Sequence, residues 1–170
     1  MDQRGFTLIE LVMVLVLIGI LAVFIAPKLG DVSFMKGGAF RDKLRADIRY
    51  AQNLAMTRGM RTRVSFTGAT RYDVFSSTTS TCSAFVSAMN PATGQPFTVD
   101  LTAAPYTGAG ITLSLPAMNC LEYNSLGQPY NCTGLGSVCS AIASGMTVTI
   151  NGGAAVAGSV VIFPRTGAVN

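Results

Sequence analysis

The sequence predicts an α+β fold in which a long N-terminal helix, a membrane half plus an amphipathic half, packs on an antiparallel β-sheet domain. Three observations predict it. Phe6 to Ala26 form a run of 21 residues with a single charge, Glu10. Apolar side chains then recur at helical spacing to about residue 58. Beyond Gly59 the pattern changes to short alternating runs separated by Gly, Ser, Thr, Asn and Pro. A helix followed by many short strands belongs to the α+β class.

The apolar run comes first. At about 1.5 Å per residue it extends ~31 Å as a helix, the hydrocarbon thickness of a bilayer. A cleaved secretory signal has a core of about 7–15 residues and a small-residue exit. Here the core is longer and leads into Pro27-Lys28-Leu29, so it reads as a retained single-pass anchor. Glu10 is the anomaly within it. A carboxylate near the centre of a membrane helix costs roughly 2.5–3.5 kcal/mol, less near the interface, and such groups usually mark function. The plain alternative is a Glu that snorkels to the headgroups.

The second helical pattern covers residues 40–58. Phe40, Leu44, Ile48, Ala51 and Ala55 make one apolar face, Lys43 with Asp47 and Asp42 with Arg45 can pair along the helix, and Gly59 terminates it. The glycine-containing segment 30–38 reads as a break or frayed section. The resulting division is 1–5 as a leader, 6–29 as the anchor helix, 30–59 as its amphipathic continuation and 60–170 as a β-rich domain.

Five to seven strands are expected in that domain. Residues 61–66, 72–75, 97–101, 111–115 and 146–150 alternate, and Val160 to Phe163 are continuously apolar. Asn151-Gly152 between two such runs is a hairpin signal.

Composition narrows the function. The chain of 170 residues has neither His nor Trp, which excludes a Ser-His-Asp triad, a Cys-His dyad and a His-ligated zinc site. No G-x-S-x-G elbow occurs and the acidic residues, 8 in all, nominate no carboxylate pair. A membrane-tethered periplasmic enzyme is therefore the weakest reading, and neither cofactor nor metal is implied.

The segment Arg4-Gly5-Phe6-Thr7-Leu8-Ile9-Glu10 resembles the processing site of type IV prepilins and type II secretion pseudopilins: a short charged leader, Gly, Phe, then Glu four residues after the Phe. Residues 44–59 resemble the GspH/FimT-type minor pilins, and residues 121–129 and 162–169 resemble those of MSHA type. The resemblance implies cleavage after Gly5 by a prepilin peptidase, N-methylation of Phe6, and pairing of Glu10 with the Phe6 amine of a neighbouring subunit. It also implies that the protein starts in the inner membrane with its C-terminal domain in the periplasm. From there an assembly platform would pass it from the lipid bilayer into a hetero-oligomeric pilus or pseudopilus of pilin subunits. Gly19 and Pro27 fall where such proteins often carry Gly and Pro. Both weaken a helix, by about 1 and 3 kcal/mol, which marks this stretch as the one to kink or unwind on packing. The distribution of Lys and Arg around the anchor, taken alone, favours the opposite orientation. The cysteines and the resemblance outweigh it here.

Cys82, Cys120, Cys132 and Cys139 all follow the anchor. An even count in a loop-rich domain suits disulfides in an oxidising compartment. Three connectivities are possible; the Gly- and Ser-containing interval favours Cys132–Cys139, with Cys82–Cys120 as the second bond. Buried free thiols are the alternative.

Eight of the 12 basic residues lie between Arg41 and Arg71, against only Asp42 and Asp47. Arg41, Arg45, Arg49, Arg58, Arg61 and Arg63 are therefore candidate contacts for a partner subunit or for DNA, as in a DNA-binding minor pilin of natural transformation. The alternative is a solvated helix face.

Overall fold

A computed structural model of the chain describes residues 7–25, 32–79, 84–115, 119–132 and 139–170. Of the candidate site residues named above, Gly5, Phe6, Pro27 and Cys82 lie outside these. The chain divides into two compact units, Met1–Val32 and Ser33–Asn170.

The first unit contains helix α1, Leu8–Ile25. Helix α2, Val32–Arg58, begins at the last residue of the first unit and continues in the second, where ten strands follow among the described residues: β1 Thr62–Thr67, β2 Arg71–Ser77, β3 Phe85–Ser87, β4 Thr98–Asp100, β5 Ile111–Ser114, β6 Cys120–Tyr123, β7 Pro129–Cys132, β8 Cys139–Ala141, β9 Met146–Gly152 and β10 Ala155–Ile162. They form two sheets. One runs β3-β2-β1-β6-β7-β8, with β4 also paired to β2; the other runs β10-β9-β5. Every pairing between these strands is antiparallel.

Helix α2 lies on this framework through the predicted apolar face. Phe40, Leu44, Ile48, Ala51 and Ala55 are fully buried, in one core with Val64, Tyr72, Val74, Leu121, Tyr123, Val148, Ile150, Val160 and Ile162. Phe40 meets the rings of Tyr72 and Tyr106 at 6.3 and 5.2 Å. Side chains alternate across a strand. With Val64 opposite both Val74 and Leu121 on the core side, the directly opposed partners Arg63, Phe75 and Glu122 share the other face of the larger sheet.

Four expectations are corrected. The β-rich domain has ten strands among the described residues rather than five to seven, short strands such as β3 and β8 carrying too little alternation to read. The segment predicted to break the helix is helical from Val32 on, with Gly37 and Gly38 inside α2. Tertiary packing overrides their low propensity. A side chain at Gly37 would put its Cβ 2.5 Å from the Cβ of Ala157, and one at Gly152 would put its Cβ 2.6 Å from the Ser33 carbonyl oxygen. The glycines thus let α2 approach the β9–β10 hairpin at backbone distance. Ala157 is the extra residue of a β-bulge, between Val156 and Gly158.

The hairpin turn is also displaced. Asn151 and Gly152 belong to β9, with Gly152 opposite Ala155, so the two-residue loop is Gly153-Ala154. Gly153 takes the positive φ of 67° that this turn needs, while Gly152 serves the contact with α2.

The predicted Asp42–Arg45 pair does not form. Asp42 accepts instead from Arg41 at 2.8 Å, and Arg45 donates to Asn170 Oδ1 at 3.0 Å. The predicted Lys43–Asp47 bridge is present at 2.6 Å, and Asp47 also accepts from the Tyr72 hydroxyl.

Candidate functional site

Helix α1, taken by itself, is an apolar cylinder with one charge. From Thr7 to Val23 every side chain is exposed, with Leu8 at 83%. Thr7 begins it as a cap: the Glu10 N–H reaches Thr7 Oγ1 at 3.4 Å and the Thr7 carbonyl at 3.1 Å. Thr7-Leu8-Ile9-Glu10 has the Thr-x-x-Glu spacing of a capping box, and a carboxylate in the first turn meets the positive end of the helix dipole. That spacing is visible in the sequence alone. Gly19 lies inside the helix, where a Cβ would meet nothing within 4 Å. The predicted span ran from Phe6 to Ala26. The helix covers 18 residues, and among the described residues no helix is long and apolar enough to cross a membrane.

The second concentration of chemistry is an ionic and thiol cluster on the face of the larger sheet turned away from α2. Glu122 on β6 is fully buried. Its Oε1 accepts from Arg61 Nη1 at 2.7 Å, and its Oε2 from Arg63 Nε and Nη2 at 3.2 and 3.1 Å. The Cys132 and Cys139 thiols donate to the same Oε2 at 3.2 and 3.3 Å. Strand register explains the gathering, since Arg63 faces Glu122 across β1 and β6, and Cys132 stands between Cys120 on β6 and Cys139 on β8. Arg63 stacks on Phe85 at 3.9 Å and Arg61 on Tyr130 at 4.9 Å, the planar guanidinium serving ion pair and ring together.

The electrostatics follow from this geometry. Burial pushes the Glu122 carboxyl up, but donors on Arg61, Cys132, Cys139 and Arg63 more than offset it and hold the group below the usual Glu range. The Cys120 thiol is pulled down by its hydrogen bonding with Cys132 and by the Arg63 charge, against burial. The Cys132 thiol goes strongly up, through Cys120, burial and the nearby negative charge of Glu122.

Sequence reasoning named no metal ligands. The structure brings donor atoms of Glu122, Cys132 and Cys139 within 4.8 Å of one another. Both carboxylate oxygens already accept from guanidiniums, and two fixed positive charges oppose a third, so we assign the cluster no metal.

The six candidate arginines do not form one face. Arg61 and Arg63 turn into the Glu122 cluster. Arg49 Nη2 donates to the Val169 carbonyl at 2.8 Å and Arg45 to Asn170, so both fasten the C-terminal segment to α2. Arg41 pairs with its neighbour Asp42. Arg58 is exposed at the end of α2.

No curated protein matches the sequence. Among solved structures the chain is similar to the crystal structure of the type IV minor pilin FimU of Pseudomonas aeruginosa, at 13% identity and a TM-score of 0.48, over 81% of this chain and 86% of that one. Residues 1–26 match the model of the prokaryotic N-terminal methylation motif. The stretch that holds Gly5, Phe6 and Glu10, together with the exposed apolar first turns of α1, thus matches a prokaryotic N-terminal methylation motif.

Proposed function

We propose that the protein is a minor pilin or pseudopilin, a structural subunit that enters or primes a type IV pilus-like filament through α1. The observation that carries the reading is Glu10, the single charge of an exposed apolar helix that lies within the methylation motif. Cleavage after Gly5 would free the α-amino group of Phe6. In the low dielectric of packed apolar helices, an ammonium on one copy and the Glu10 carboxylate on another neutralise each other, where either alone is costly. The subunit then waits in the inner membrane as a single-pass protein with its β-rich domain in the periplasm. Its partners are the peptidase, the assembly platform and other pilin subunits. No observation favours the DNA reading, because four of the six arginines are committed to Glu122 or to the C-terminal segment.

Intact-mass analysis of membrane-extracted protein tests processing: loss of residues 1–5 and gain of one methyl group are expected. Sheared surface filaments test assembly, with the subunit absent for Glu10→Leu and retained for Glu10→Asp. Unchanged incorporation of Glu10→Leu would overturn the reading.

A further inference from the structure

The three described cysteines lie in a cross-strand row, and backbone hydrogen bonding separates the two ways in which Cys132 can pair. In an antiparallel ladder, directly opposed residues alternate between hydrogen-bonded pairs, with Cα atoms about 5.5 Å apart, and non-hydrogen-bonded pairs, about 4.5 Å apart with closer side chains. The Phe66 N–H donates to the Asn119 carbonyl at 2.8 Å, one step along the ladder from the opposed pair Ser65 and Cys120. That step makes Cys120 non-bonded towards β1 and turns its backbone groups towards β7. Cys120 and Cys132 are therefore a hydrogen-bonded pair. On the other side of β7, the Ile142 N–H donates to the Pro129 carbonyl at 3.3 Å. Pro129 and Ile142 stand three steps from Cys132 and Cys139, an odd number, so Cys132 and Cys139 are a non-hydrogen-bonded pair. The two ladders give one answer from independent bonds.

The side chains agree with it. Cys132 Sγ and Cys139 Sγ are 3.5 Å apart, and both point at the same oxygen of Glu122. Cys120 Sγ instead donates to the Cys132 carbonyl at 3.1 Å. A disulfide needs Cβ atoms roughly 3.5–4.5 Å apart, which the closer pairing favours.

We infer that Cys132 and Cys139 are the site of a disulfide that clamps the edge strand β8 to β7, and that Cys120 does not take part in it. The oxidant is a disulfide, protein-borne in an oxidising compartment or glutathione disulfide in solution. Half-buried Cys139 attacks it as thiolate and forms a mixed disulfide with release of one thiol. Cys132 then attacks Cys139 Sγ and releases the second. Two thiols lose two protons and two electrons, and one disulfide becomes two thiols. Glu122 gives up two S–H donors in the process and keeps Arg61 and Arg63.

The pairing does not rest on filament assembly, and its test is separate from that of the proposed function. Full-length detergent-extracted protein, reduced and then treated with glutathione disulfide, is alkylated and cut with chymotrypsin, whose Tyr123, Tyr130 and Leu135 sites separate the three cysteines. The expected product is a Cys132–Cys139 cross-linked peptide two hydrogen atoms lighter than the sum of its parts. Cys120→Ser keeps it and Cys139→Ser abolishes it. A cross-link from Cys132 to Cys120, one from Cys139 to Cys82, or alkylation of both Cys132 and Cys139 after oxidation would overturn the assignment.

Discussion

Arg63 and Glu122 stand directly opposite each other on β1 and β6, 59 residues apart in sequence, with two guanidinium nitrogens on one carboxylate oxygen and the carboxylate wholly buried. Removing one partner leaves a desolvated charge, which typically costs 3–5 kcal/mol, whereas replacing both with apolar groups is far milder. Arg63→Met alone should therefore destabilise more than Arg63→Met with Glu122→Leu. Urea unfolding of the two single variants and the double variant closes the cycle, and strict additivity would mean that the pair is uncoupled.

Glu122 also sets an acid limit. Its carboxyl ionises below the ordinary value in the fold, so its stabilisation is present above the unfolded value of about 4.3 and is lost as pH falls through the lower folded value. Thermal midpoints from pH 6 to 2.5 should drop more steeply for the wild type than for Glu122→Gln.

An alkaline limit comes from Tyr72. Burial, then the charge and hydrogen bond of Asp47, raise its phenol well above the ordinary range. The contribution of the neutral phenol is complete below about pH 10 and is lost as pH rises from there towards the raised value. Tyr72→Phe should lose part of the neutral-pH stability and show a shallower decline above pH 10 in a circular-dichroism titration.

Glycine sites on and against α2 should respond with opposite signs. At Gly152 an added Cβ would meet backbone, the Ser33 oxygen at 2.6 Å and Phe34 Cα at 3.0 Å; at Gly38 it would meet nothing within 4 Å. Gly152→Ala should cost about 1–3 kcal/mol through overpacking. Gly38→Ala should stabilise by up to about 1 kcal/mol through helix propensity. Chemical denaturation measures both.

The C-terminal segment acts as an added edge to β10. The Val161 and Phe163 N–H groups donate to the Asn170 and Ala168 carbonyls, each at 2.9 Å, while Arg49 holds the Val169 carbonyl. Deleting residues 168–170 should speed amide exchange at Val161 and Phe163 by at least tenfold, with the helical amides of residues 48–55 protected as before.

The helical face from Phe40 to Ala55 was legible because a 3.6-residue period is a local property, and the structure buries those residues. Residues 146–150 alternated for a similar reason. The short strands β3 and β8, three residues each, carry too little pattern to be read. The helical start at Val32 was hidden by Gly37, whose cost within a helix is visible in sequence while its contact with Ala157 is not. Likewise Asn151-Gly152 looked like a turn because the demand of α2 for a residue without Cβ at 152 cannot be seen from the hairpin alone.

By itself the sequence determined the elements and their chemistry: an apolar helix with one carboxylate, an amphipathic helix, and strands rich in small and polar residues, all governed by neighbours within a few positions. Only the tertiary structure decided which charges meet. Arg61 and Arg63 read as members of a basic surface, yet strand register carries them to Glu122 and sets Cys132 between two other cysteines. The physical reason is that register depends on hydrogen bonding and burial across distant segments, and a shift of one residue would send each of these side chains to the opposite face of the sheet.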